Sequence, residues 1–144
     1  RKLIKESLEH IPENSKTAKA VELVCRMYDE NAEWKDTRNA LVKLCEDIGW
    51  FMAPANVGFV ILGLLYGEGD FGKSICMAVE AAFDTDCNGA TVGSVIGMRN
   101  GVECISEYWA KPVNNTIDTS IFGVGKVSVT DCVEKTLQHI AQNR

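Results

Sequence analysis

A chain of 144 residues with 46% hydrophobic and 24% charged side chains is sized for one ordinary core and has the balance of a globular protein rather than a disordered one. A formal net charge of −5, with no Lys/Arg-rich face, argues against a nucleic-acid partner, because neutralising phosphates needs such a face. Six cysteines without a CxxC pair and two histidines, His10 and His139, argue against a Cys/His zinc site and fit a reducing, cytoplasmic compartment.

In chain order, Ser15 is a predicted N-cap, followed by Val21, Val24, Cys25 and Tyr28 at helical spacing. Asp36 is expected to cap a second amphipathic helix with Ala40, Leu41, Leu44 and Ile48 on its inner side, ended by Gly49. A third helix, apolar on nearly all faces, should run from about Ala55 to Tyr66 and lie deep in the core. Gly67-Glu68-Gly69 breaks it, and Asp70 caps a fourth helix through Ile75, Met77, Ala78 and Ala82. Asp84 to Gly89 reads as a turn, and Ala90 to Arg99 as a fifth helix whose Gly93 and Gly97 share a face suited to close packing. A helical piece around Val102–Trp109 should stop before Pro112. Residues 113–130 read as irregular or briefly extended, and Thr130 or Asp131 starts a last helix with Val133, Leu137, Ile140 and Ala141. The predicted architecture is all-α, one domain over residues 1–144. Cys25, Cys45, Cys76 and Cys132 fall in helical, mainly apolar surroundings, where a reduced thiol acts as a small hydrophobe.

No signal peptide is visible, and the start at Arg1-Lys2-Leu3 without Met points to an internal or processed piece. The stretch Ile48 to Gly67 carries no charge and has the length of a membrane span. Pro54, Asn56 and its glycines instead suggest a loop and a buried core helix, so no membrane partner is expected. A second pattern to weigh is Gly67 to Ser74, which satisfies the phosphate-cradling motif G-x-x-x-x-G-K-[ST]. That loop needs a strand before it and a parallel sheet to present it. The chain shows neither, so a helix C-cap at Gly67 and an N-cap at Asp70 are preferred over a nucleotide site.

Asp84-Thr85-Asp86-Cys87-Asn88-Gly89 gathers two carboxylates, a hydroxyl, a thiol and an amide. Hard divalent cations such as Mg²⁺ take oxygen ligands and typically use one or two protein carboxylates. The alternative is that Asp and Asn merely cap helices and populate turns. Asn88 reads as a cap and Trp109 as a core residue, although either could face a substrate.

The run GLLYGEGDFGKSICMAVEAAFDTDCNGATVGSVIGMRNG, flanked by HIPENSKTAKAVELV and EYWAKPVNNTI, resembles the ADP-ribosylglycohydrolase family. The resemblance implies an orthogonal multi-helix bundle holding two Mg²⁺ or Mn²⁺ ions. These would grip the ribose of an ADP-ribosyl substrate and position a water that cleaves its glycosidic bond. It also implies metal ligands at Asp84 and Asp86, with Cys87 at the place of a Thr or Ser ligand; catalytic residues are not assigned by it. The family's other ligands come from a G-x-x-x-G-D-type segment and a Thr-Asp-Asp-like cluster, absent from residues 1–50, and its domains are about twice this length. The chain therefore looks like the C-terminal part of such a domain, with its N-terminal half absent, and should pair with that half or self-associate through an exposed face of helix 55–66. A crystallin-like, non-catalytic protein on the same scaffold is the alternative.

Overall fold

A computed structural model describes residues 1–143. They form two compact units, residues 1–104 and residues 105–143. The first unit contains six α-helices: α1 (Lys2–Leu8), α2 (Lys16–Asp29), α3 (Trp34–Leu44), α4 (Ala53–Tyr66), α5 (Phe71–Glu80) and α6 (Thr85–Asn100), then a 3₁₀ turn at Val102–Cys104. The second contains α7 (Glu107–Val113), strands β1 (Thr116–Asp118) and β2 (Lys126–Ser128), and α8 (Val129–Gln142). The all-α expectation holds. The strands are a short antiparallel hairpin with Ile117 opposite Val127, within the stretch predicted as irregular or briefly extended.

The core is organised by α4. Pro54 sits in its first turn, where a missing N–H costs nothing, and Gly67 caps its C-terminus. Between them the helix is apolar nearly all round, and it packs against α2, α3, α5 and α6. Phe59 and Leu62 are wholly buried with Val24, Leu41 and Ala20, while Val92, Ile96 and Ala78 close a second cluster between α5 and α6. Tyr66 ties α4 to the preceding helices: its hydroxyl donates to the carbonyl of Ala32 (3.0 Å) and meets the Thr37 hydroxyl (2.7 Å). Along α4, Val57, Val60, Ile61 and Leu64 are half-buried. In this unit the exposed large apolar residues include Trp50, Phe51 and Met52 in the loop before α4. No helix among the described residues is long and apolar enough to cross a membrane.

Close approach of α4 and α5 depends on small residues. A Cβ on Gly63 would lie 2.8 Å from the Ser74 carbonyl oxygen, and one on Gly67 would lie 2.0 Å from Ser74 Oγ and 2.5 Å from Ser74 Cα. The Gly67–Ser74 segment is thus a helix–helix corner preceded by a helix. Asp70 caps α5 by accepting from the Lys73 backbone N–H (2.7 Å), and Lys73 Nζ pairs with Glu68 (2.8 Å). Ser74 is wholly buried against Gly67. The backbone donor, the cation and the hydroxyl that a phosphate would need are all engaged or enclosed.

Several boundaries differ from expectation, for local reasons. Helix α1 was not anticipated. Helix α3 starts after Glu33, so Asp36 lies inside its first turn, where a carboxylate favours the helix dipole without capping. The same helix ends at Leu44, ahead of Ile48 and Gly49. Helix α7 runs through Pro112 to Val113, because in a seven-residue helix proline near the end removes little of the ladder. Asn114, in the left-handed region at φ 48°, stops it. Helix α8 begins at Val129, with the Ser128 hydroxyl accepting from Asp131 N–H. Trp109 is half-buried and edge-on to Tyr108 at 5.2 Å rather than a core residue. All six cysteines are free, but Cys76, Cys87 and Cys132 are exposed, so only Cys45 behaves as a fully buried small hydrophobe.

Candidate metal centre

The carboxylate cluster lies at the head of α6. The turn that sequence places at Asp84 to Gly89 is displaced towards the N-terminus: α5 ends at Glu80, and the chain reverses through Ala82 (φ 77°) and Phe83 (φ 62°). Neither residue is glycine, and a bulky side chain at positive φ is an outlier. Three contacts hold this turn. Arg38 Nε donates to the Ala81 carbonyl at the end of α5 (3.1 Å), the Phe83 ring packs edge-on to Phe59 (5.2 Å), and Asp84 N–H donates to Asn56 Oδ1 (3.2 Å).

Asp84 occupies the N-cap of α6, yet its side chain makes no capping bond. Its ψ of 71° differs from the 151° of Ser15 and 130° of Asp70, two N-caps whose side chains do accept from the helix backbone. The capping alternative therefore fails for Asp84, whose carboxylate accepts from no backbone N–H of the helix. Asp86 is the second residue of α6, where the helix dipole favours negative charge. Ligating atoms of Asp84, Asp86 and Cys87 all lie within 4.8 Å of one another, with Asp84 half-buried and the other two exposed. The Cys87 thiol donates to the Asp84 carboxylate. That bond, then the Asp84 charge, slight desolvation and the Asp86 charge, push the thiol pKa above its usual value of 9.0.

Against the cluster lies a groove of about 420 Å³, walled by Phe51, Ala53, Val57 and Val60 on its apolar side and by Asp84 and Cys87 on its polar side. A volume of this order suits a small-molecule site. A second groove of about 430 Å³ near α1, lined by residues including Lys5, Glu9, Glu13 and Glu22, has no such grouping of ligating atoms among the described residues.

A family model for ADP-ribosylglycohydrolase matches residues 1–142. The chain belongs to the ADP-ribosylglycohydrolase family. No curated protein and no solved structure matches it. The eight α-helices among the described residues are consistent with the all-α fold of this family, whose members are hydrolases that are generally divalent-metal dependent. The donor set fits that chemistry in part. Two carboxylates suit a hard ion, but a thiol kept protonated by its neighbours does not.

Sequence reasoning missed one residue of this site, Asn56. It is buried in α4, and its amide makes four hydrogen bonds: Nδ2 donates to the carbonyls of Trp50 (2.8 Å) and Met52 (3.1 Å), while Oδ1 accepts from Asp84 N–H and Asn88 Nδ2 (2.9 Å). A lone amide inside an otherwise apolar helix is the signal that could have found it, since such a group must be satisfied. Asn88, read as a cap, is buried within α6 and is one of these partners. The glycine reading shifts by one turn. Gly89 and Gly93 face α5, where added Cβ atoms would meet Val79 at 2.9 Å and Ile75 at 3.2 Å, whereas a Cβ on Gly97 meets nothing within 4 Å.

Proposed function

We propose that the chain contributes the late carboxylates of a two-ion Mg²⁺ or Mn²⁺ centre in a hydrolase that cleaves the glycosidic bond of ADP-ribosylated protein or a related ADP-ribosyl compound. The observation that carries this reading is the Asp84 carboxylate, released from capping and set beside Asp86 on the wall of a groove. Asp84 and Asp86 would hold the ion, and Cys87 occupies the third position. When bound, the divalent ion would polarise an attacking water and anchor sugar hydroxyls. The two carboxylates would also stabilise the positive charge that develops at the anomeric carbon as the glycosidic bond breaks. The apolar wall at Val57 and Val60 would exclude competing water from that side.

In this reading the remaining ligands come from an N-terminal half of the domain, so the 144 residues alone should release no ADP-ribose. The test is release of ADP-ribose from ADP-ribosylated protein by this chain combined with an N-terminal half-domain. The expected result is activity abolished by a chelator and restored by Mg²⁺ or Mn²⁺. Activity that survives chelation would overturn the metal mechanism, and activity of the 144 residues alone would overturn the half-domain assignment.

A second reading, a non-catalytic protein on the same scaffold, is favoured by one observation: an exposed thiol, a soft donor, stands at Cys87 beside Asp84 and Asp86. Replacing it separates the two. Cys87→Ser puts an oxygen in the sulfur's place and should tighten Mg²⁺ binding by roughly three- to tenfold by calorimetry, because a hydroxyl is a harder donor than a thiol. Unchanged or absent Mg²⁺ binding in this variant would favour the non-catalytic reading.

A further inference from the structure

We infer that Asn56 is a positioning residue for the metal centre: its single amide fixes the backbone of Asp84 and, through Trp50 and Met52, the loop that carries the groove's aromatic rim. The inference rests on the metal reading above. The turn before Asp84 places Ala82 and Phe83 at positive φ, conformations that relax unless neighbours hold them. Arg38 and Phe59 act on Ala81 and Phe83, the residues ahead of the carboxylate. The bond from Asp84's own N–H goes to Asn56.

The orientation of the Asn56 amide is determined by chemistry. An amide offers two N–H donors and two acceptor lone pairs, and here all four are used. Rotating it by half a turn would set its NH₂ against the Asp84 N–H and the Asn88 NH₂, and its oxygen against two carbonyls. Each of the four bonds would become a mismatch in a site that is 92% buried, the exposure of Asn56 being 8%. The amide is therefore a rigid strut between α4 and the head of α6. Asp84 can leave its place only if this bond breaks, and the loop 50–52 is tied to the same atom group. Groups that orient metal ligands from behind typically change metal affinity by about 10–100-fold when removed.

The experiment is a Mn²⁺ titration of the ¹⁵N-labelled 144-residue chain, read as paramagnetic broadening of the amides of Thr85, Asp86 and Cys87, beside thermal unfolding. The variants are Asn88→Leu and the pair Asn56→Leu/Asn88→Leu. Leucine keeps asparagine's branched heavy-atom shape and is the larger of the two, so neither variant opens a cavity, and the pair leaves no amide without its partner amide. Asn88→Leu keeps the bond to Asp84 and should hold the Mn²⁺ dissociation constant within about twofold. The pair should weaken binding by about tenfold or more, beyond any difference in melting temperature. Equal affinity in the two variants would overturn the inference while leaving the metal reading intact. Absence of broadening in the wild-type chain, both alone and combined with an N-terminal half-domain, would instead overturn the metal reading on which it rests. Hydrogen exchange in the wild-type chain provides a measurement that needs no variant to fold. The Asp84 amide should exchange at least about tenfold more slowly than an unstructured peptide, and exchange at the unstructured rate overturns the inference.

Discussion

Asp84→Asn combined with Asp86→Asn should lower the affinity of this chain for Mn²⁺ by at least about 100-fold, more than is typical for residues that only orient ligands, while the melting temperature stays within about 3 °C. The separation of the two effects follows from the geometry. The Asp84 side chain makes no bond to the α6 backbone, so asparagine there removes no cap. The hydrogen bond that anchors the residue comes from its main-chain N–H to Asn56 and survives the substitution. At Asp86 the lost attraction to the helix dipole is opposed by relief of repulsion between two carboxylates whose oxygens lie within 4.8 Å. Metal binding has no such compensation, because the variant has no ionised oxygen at either position. Asp84→Asn alone should weaken binding more than Asp86→Asn alone, since Asp84 is half-buried and anchored while Asp86 is exposed. Isothermal titration and thermal unfolding on the same samples check both parts. A dissociation constant within threefold of wild type in the double variant would place the ion elsewhere.

What could be read in the sequence was set by local chemistry. The apolar run of α4, bounded by Pro54 and Gly67, gave a buried helix, and Asp70 followed by an amphipathic segment gave the next N-cap, because both signals lie within a few residues of what they specify. The strained turn was not legible. Ala82 and Phe83 have no intrinsic preference for positive φ; tertiary contacts with Arg38, Phe59 and Asn56, residues from α3 and α4, hold the turn there. For the same reason the cluster was placed in a turn when it belongs to the first turn of α6. The acidic pair itself was visible, but its release from capping depends on a ψ angle that no composition encodes. Asn56 escaped because its partners at 84 and 88 lie 28 and 32 residues away. Helix α6 hid its buried face for a further reason. Its apolar residues are spread around the helix among small ones, so the pattern that marks an inner side in α2 is missing there.

Gly67→Ala should destabilise the chain by about 3 kcal/mol, lowering the melting temperature by roughly 10 °C, whereas Gly97→Ala should stabilise it by about 0.5–1 kcal/mol. Backbone freedom is not the issue at Gly67, whose φ of −76° any residue adopts. Space is. The added Cβ would lie 2.0 Å from Ser74 Oγ, which could rotate away, but also 2.5 Å from Ser74 Cα and 2.6 Å from the Gly63 carbonyl oxygen, which are main chain. Relief requires α5 to slide along α4, and α5 is in turn packed on α6 through Gly89 and Gly93. A shift there carries the Ala81–Asp84 turn with it, so Gly67→Ala should also weaken Mn²⁺ binding although Gly67 lies outside the groove. Gly97 is the matched control: it is inside α6, its added Cβ touches nothing within 4 Å, and alanine is the better helix former. Thermal unfolding of the two variants decides between packing and propensity. Equal and opposite-to-expected shifts, or a Gly67→Ala chain as stable as wild type, would show that the α4–α5 corner is not closed as tightly as Ser74 and Gly67 indicate.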